Sequence, residues 1–284
     1  MEFLDIESNS GNLDLDLLEA RCDQPKAPQV VTVVHFAGLP CDMQRLIELK
    51  RRFGFKLVED AAHALGARYR VDGRWWGIGE HPEVDASTLS FHPVKHITTG
   101  EGGAVLCADA KRAQRLRLLR SHGMDQQAVF DMNAPMVELG LNARLSDLNA
   151  ALGLSQLNKL SGFLSDRREL ALAYRGQLGE FELLDAGDSE REHAWHLFVL
   201  RVPQAERGEL VHSLRQEGLG CQLHYYPVPL QPWFKAQGVR GNWPVAVRHA
   251  QTSLSIPIYP ALQDQDQERV IYALQRWRQR SSAA

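Results

Sequence analysis

VVTVVHFAGLPCDMQRLIELKRRFGFKLVED, residues 30–60, carries the pattern that decides the fold. Val30 to Phe36 is β-branched and almost wholly apolar, the composition of a strand buried on both faces of a parallel sheet. A helix is expected next. Asp42 can cap its N-terminus, and Met43, Leu46, Ile47 and Phe53 fall on one face. Lys50, Arg51 and Arg52 lie at the negative end of its dipole, and Gly54 can close it. Lys56 to Asp60 then forms a short strand ending in two acids. Strand, helix and strand in this order predict a right-handed crossover and an α/β sheet.

Working outward, Ala86 to His92 and Gly103 to Ala108 have strand composition, with the turn-rich TTGEGG between them. Ala110 to Arg120 is helical and very basic, which predicts a solvated face. Leu148, Leu152, Leu157 and Leu160 make a helical stripe over 146–160, and a second helix is expected from Phe163 to about Leu178. Together they form the hinge between two lobes, a large domain over 1–160 and a smaller C-terminal α+β domain over 161–284. The second lobe begins near residue 180. It should hold a strand in HLFVLRV (196–202), a helix over 205–216, another strand in GCQLHYYPV, and a last helix. That helix opens on an Asp264–Gln267 capping box and buries Val270, Ile271, Leu274 and Trp277.

Composition excludes several classes. The 284 residues are 44% apolar and 24% charged, ordinary for a soluble globular protein. Lys plus Arg number 32 against 35 Asp plus Glu, a net charge of −3, so nothing favours nucleic acid as a partner. No apolar run is long enough for a membrane span, and the acidic start MEFLDIESNSGNLDLD is not a signal peptide, which makes the cytoplasm the expected address. Cys22, Cys41, Cys107 and Cys221 form no C-x-x-C pair and are expected to be reduced and buried.

Chemistry concentrates in Val58-Glu59-Asp60-Ala61-Ala62-His63-Ala64 and Ser90-Phe91-His92-Pro93-Val94-Lys95. An acid at the carboxyl end of a parallel strand projects into the crevice where α/β sheets bind ligands. Lys95 lies beyond another strand, among Pro93, Gly100, Gly102 and Gly103, which bring backbone close without bulk. A buried lysine with a carboxylate partner is the pair used with pyridoxal phosphate: the amine joins the aldehyde and the acid keeps the ring nitrogen protonated. On spacing alone a structural ion pair is the commoner meaning of an Asp and a Lys. Asp60 and His63 could also be metal ligands, but no third ligand stands at a usual spacing, so no metal is expected. Gly77-Ile78-Gly79 lacks the third glycine of a dinucleotide fingerprint, which leaves a nicotinamide-dependent sugar dehydrogenase as a remote reading.

EDAAHALGA (59–67), SFHPVKHITTGEGGAV (90–105), RSHGM (120–124), LGLNARLSDLNAALGLSQL (139–157) and QLHYYPVPLQPWF (222–234) resemble, in order, the DegT-type sugar-nucleotide aminotransferases. SFHPVKHITTGEGG and HYYPVPLQP lie nearest the pseudaminic acid branch of that family. The resemblance implies the aspartate-aminotransferase-like fold, type I among pyridoxal-phosphate-dependent transferases. It implies transfer of an amino group from an amino acid, L-glutamate, to C4 of a UDP-linked 4-keto-6-deoxy-N-acetylhexosamine. By the same resemblance Lys95 carries the cofactor, Asp60 binds its ring nitrogen, and His63 lies against the ring or its phenolic oxygen. Ser90 contacts the phosphate, Asn142 reaches it from the neighbouring subunit of a homodimer, and His224 and Tyr225 touch the sugar nucleotide. Lys95 separates the chain from the family's dehydratase branch, which has histidine there.

The bland alternatives are a capping role for His63, ordinary strand-end and turn roles for Ser90 and Asn142, and edge-strand aromatics at 224–226. The chain also departs from the family at its start, where MEFLDIESNSGNLDLDLLEA resembles a point well inside the large domain. The family's phosphate-binding loop at a helix N-terminus and its stacking aromatic are not seen. The expected consequences are weaker cofactor binding, an open sheet edge or apolar face, and a second functional reading: a catalytically silent homologue acting as a dimerisation or binding partner.

Overall fold

The computed structural model describes residues 1–124 and 135–283. The decisive stretch folds as its pattern requires. Strand β1 (Val30–Val34), helix α2 (Met43–Phe53) and strand β2 (Lys56–Asp60) form a crossover unit in which β1 and β2 pair in parallel, from Val30 opposite Lys56 to Val34 opposite Asp60. The side chain of Asp42 accepts from the backbone N–H of Arg45, and Gly54 closes the helix at φ 74° while donating to the Lys50 carbonyl. Leu46 and Ile47 are fully buried against Val33 and Leu57. At about 1.5–3 kcal/mol for each large apolar side chain removed from water, this face fixes the helix on the sheet.

Strand β5 (Ala86–Ser90) pairs in parallel with β2, and β6 (Gly103–Leu106) returns antiparallel, giving the order β1-β2-β5-β6. Asp60 and Ser90 thus stand at the carboxyl ends of two neighbouring parallel strands. One expectation fails here. The strand ends at Val34, its residues alternate between exposed and buried, and Val30 and Val34 are 56% and 44% exposed. Only the side bearing Val31 and Val33 meets α2, so β1 is covered on one face rather than two.

Helix α1 (Leu15–Cys22), capped by Asp14, packs its Leu15 and Leu18 into the same core. A hairpin, β3 (Arg68–Val71) and β4 (Arg74–Gly77), turns at Asp72-Gly73, both at positive φ. After the basic helix α3 (Ala110–Arg120), which buries no residue, come α4 (Asp147–Leu157), capped by Ser146, and the long α5 (Leu160–Gln177). The leucine stripe of α4 is not a packed hinge: Leu148, Leu152, Leu154 and Leu157 are all exposed.

Beyond α5 are the short strands β7 (Glu182–Leu183), β8 (Gly187–Asp188) and β9 (Arg191–Glu192). The last two join the hairpin as β4-β3-β9-β8. The second core surrounds β10 (Phe198–Arg201) and β11 (Ser253–Ile256), which with β7 make a three-stranded antiparallel sheet. Helices α5, α6 (Gln204–Gln216) and α9 (Asp264–Ala283) pack on it through Leu170, Tyr174, Leu210, Leu274 and Trp277. Short helices α7 (Pro232–Ala236) and α8 (Pro244–Thr252) complete the lobe.

Three local expectations are corrected in this part of the chain. GCQLHYYPV forms no strand, only a single bridge from Gln222 to Ser255, because His224 turns its ring to Ser255 and Gln222 instead of continuing a ladder. Gln267 does not close a capping box but donates to the Leu170 carbonyl, tying α9 to α5. Cys22, Cys41 and Cys221 are buried and unbridged as expected, whereas Cys107 is half-buried. Among the described residues no helix is long and apolar enough to cross a membrane.

Candidate active site

Strand β2 delivers Asp60 to the rim of the sheet, where its side chain accepts from the Ala62 N–H at 3.1 Å and its carbonyl accepts from the His35 N–H at 3.2 Å. The preceding acid points the other way. Glu59 is fully buried and receives the Tyr69 hydroxyl at 3.1 Å, the Ser87 hydroxyl at 2.5 Å and the Gly79 N–H at 3.3 Å, with the His35 ring 3.4 Å away. Burial alone would raise the Glu59 carboxyl, but His35, Ser87 and Tyr69 outweigh it and hold the group below its usual range. This network locks the end of β2 from beneath and sets where Asp60 stands.

Lys95 follows the tight segment after β5, its N–H bonded back to the His92 carbonyl at 3.0 Å. The side chain is half-buried, and its amine makes no hydrogen bond or ion pair among the described residues. Burial lowers the amine's pKa, and the nearby Asp60 carboxylate partly offsets that. The two groups therefore sense each other without a direct hydrogen bond or ion pair among the described residues.

His63, 7% exposed, lies beside this pair with its Nδ1 buried and unpartnered. Burial, reinforced by Lys95, pushes its pKa down to about 3, so the ring is neutral. Tyr225 meets it across the cleft, hydroxyl to Nε2 at 3.4 Å, and the two rings lie 6.1 Å apart. His224 is held by Ser255 at 2.8 Å and Gln222 at 3.0 Å. Five of the seven expected site residues are thus brought together: Lys95, His224 and Tyr225 line one cleft, His63 meets Tyr225, and Asp60 acts on Lys95. Ser90 is half-buried at the end of β5 with its hydroxyl unbonded among the described residues. Asn142 is exposed, bridged to Ser121 and away from the cleft of its own chain.

Several residues of the site escaped sequence reasoning. His96 donates from Nε2 to the Ala194 carbonyl at 2.9 Å, and the His196 ring sits 4.4 Å from that of His63 and 5.4 Å from that of His96. Burial keeps all three imidazoles neutral. Gly38 makes the packing behind them possible: at φ +103°, a Cβ would meet the His63 carbonyl at 2.9 Å and the His196 and Trp195 nitrogens at 3.0 and 3.1 Å. No cluster of three or more metal-ligating side chains occurs among the described residues.

An α/β chain with a lysine that makes no hydrogen bond among the described residues, and an acid at the carboxyl rim of a parallel sheet, has the fold of the type I class of pyridoxal-phosphate-dependent transferases, and structural comparison agrees. The model of the DegT/DnrJ/EryC1/StrS aminotransferase family matches residues 2–275, and the chain belongs to that family. It is 38% identical over 234 residues to the UDP-4-amino-4,6-dideoxy-N-acetyl-beta-L-altrosamine transaminase of Campylobacter jejuni, covering 80% of this chain and 60% of that enzyme. It superimposes on Streptomyces venezuelae DesV, solved in complex with a ketimine intermediate, with a TM-score of 0.86 and 33% identity, over 96% of this chain and 71% of DesV. The PLP form of Spr1654, a sugar aminotransferase of Streptococcus pneumoniae, gives 0.86 and 26% identity, over 98% of this chain and 74% of that one.

The residues present fit that cofactor at its ring end. Among the described residues the His63 Nδ1 and the Lys95 amine have no hydrogen-bond partner, and both are groups that a polar cofactor would engage.

Proposed function

We propose that the chain is a sugar-nucleotide aminotransferase that uses pyridoxal phosphate. It moves an amino group from L-glutamate to C4 of a UDP-linked 4-keto-6-deoxy-N-acetylhexosamine, in pseudaminic acid or related nucleotide-sugar biosynthesis. The observation that carries this reading is the half-buried Lys95 amine, which makes no hydrogen bond or ion pair among the described residues, has its pKa lowered by burial and lies near enough to Asp60 to feel its charge. When bound, the cofactor supplies an electron-withdrawing ring that stabilises negative charge on the donor's Cα. Lys95 would hold the cofactor until the donor's amine takes its place, and the released Lys95 amine, its pKa lowered by burial, would then move the proton from the donor's Cα. Asp60 holds the proton on the ring nitrogen. His63, kept neutral, lies against the ring and is steadied by Tyr225. His224 and Tyr225 face the sugar nucleotide, and Ser90 supports the phosphate.

The exposed position of Asn142 is consistent with its serving a neighbouring subunit's phosphate site in a homodimer. The seven exposed leucines from Leu139 to Leu157 supply an apolar surface of the kind that such an interface covers.

The test is to mix purified protein with pyridoxal phosphate, reduce it with borohydride, and locate the label by peptide mass spectrometry. Label on Lys95, with a visible absorption band lost in Lys95→Ala, is expected. Wild-type protein that takes up no cofactor would overturn the reading and favour a silent homologue that acts as a dimerisation or binding partner.

A further inference from the structure

The cleft that contains Lys95 opens into a cavity of about 1100 Å³ whose charges are lopsided: Lys95, Arg167 and Arg269 against the one carboxylate of Asp266. Arg269 is already paired with Asp266 at 3.2 Å, and Lys95 belongs to the cofactor in the reading above. Arg167 is the cation left over. It stands on the buried stripe of α5 with Leu170, Ala171 and Tyr174, and is 3% exposed. Its Nη1 donates to the carbonyls of Trp195 at 3.0 Å, His196 at 3.4 Å and Ile258 at 2.8 Å. Its Nε is buried without a partner, and its Nη2 makes no hydrogen bond among the described residues.

A buried guanidinium without a carboxylate is unusual, because three carbonyl dipoles offset only part of the cost of taking a full charge out of water. Burial pushes its pKa down to about 10, so it stays charged at neutral pH. We propose that Arg167 receives a carboxylate of the amino donor, a dicarboxylic amino acid, through the donors it does not spend on the backbone. This rests on the aminotransferase reading of the cleft. Lys95 and Arg167 line the same cavity together with His96 and His196, and Arg167 donates to the His196 carbonyl at 3.4 Å. A donor whose amine lies at the Lys95 end therefore brings a carboxylate within reach of Arg167. The keto-sugar ring offers no such anion. The two substrates can then use one cavity in turn without competing for this residue.

Calorimetric titration of the purified protein with glutarate, which has the two carboxylates but no amine, and separately with UDP, tests the assignment. Arg167→Gln is expected to weaken glutarate about tenfold to a hundredfold, the worth of one charge-assisted hydrogen bond. Arg167→Lys should recover part of that, and UDP affinity should not move. Glutarate binding that is absent from wild type or unchanged in Arg167→Gln, or an equal loss of UDP, overturns the proposal. Should Arg167→Gln not fold, a crystal of wild type with glutarate decides: a carboxylate on the Arg167 guanidinium supports the assignment, and density elsewhere or none refutes it. Because glutarate binding needs no cofactor label on Lys95, failure of the aminotransferase reading is seen separately.

Discussion

Replacing Glu59 by glutamine changes no shape and removes one charge from the most enclosed polar group beneath the site. Glu59 accepts from the Tyr69 and Ser87 hydroxyls and the Gly79 N–H, and faces the His35 ring. The His35 Nδ1 accepts from the Cys41 N–H at 3.1 Å, so its other nitrogen, Nε2, turns a proton toward Glu59. Glutamine keeps one accepting oxygen, and its amide then opposes groups that are themselves donors. Breaking a buried pair in this way costs about 3–5 kcal/mol, against a total stability of about 5–15 kcal/mol for a typical domain. Urea denaturation followed by tryptophan fluorescence should show that loss at pH 7.

The pH dependence has a definite sign. The folded-state pKa of Glu59 lies below the ordinary 4.5, so its stabilising contribution is complete above pH 4.5 and disappears as pH falls through the folded value. The gap between wild type and Glu59→Gln must therefore narrow on acidification. A difference under about 1 kcal/mol at pH 7 would fall short even of a single charged hydrogen bond and refute the reasoning, as would a gap that widens in acid.

Gly38→Ala should be destabilised by about 2–5 kcal/mol, summing a left-handed backbone penalty and an overpacked contact. Its thermal unfolding should shift accordingly, and it should lose cofactor uptake as well, because the backbone atoms it displaces belong to His63, Trp195 and His196; a wild-type melting curve would contradict this. Leu148→Asp combined with Leu154→Asp should convert a dimer to a monomer in sedimentation velocity without lowering the melting temperature of the fold, since both side chains are largely exposed. A wild-type chain that sediments as a monomer would rule out that interface.

Much of this was legible in the sequence because local signals and burial agreed. Asp42, Gly54 and the stripe through Leu46 and Ile47 mark α2 to the residue. The acid after KLVE and the lysine after SFHPV reach one rim because parallel strands share a direction. What was not legible depends on partners distant in sequence. The Asp72-Gly73 turn is a plain hairpin signal, yet its strands complete a sheet only with residues 187–192. Leucines on α4 have the spacing of a core helix and face outward, since periodicity tells which residues share a side and not what lies opposite. Arg167 interrupts an apolar stripe, the one mark that could have singled it out, but its three carbonyl partners come from loops 28 to 91 residues away. GCQLHYYPV has strand composition and becomes a loop because His224 bonds to Ser255 and Tyr225 to His63, residues 31 and 162 positions away.

The first sheet ends in β1 on one side and β6 on the other, with Val30, Val34 and Val105 open to water. Such rims are adhesive: unpaired peptide groups and bare valines recruit whatever chain can extend the ladder or roof the bare side.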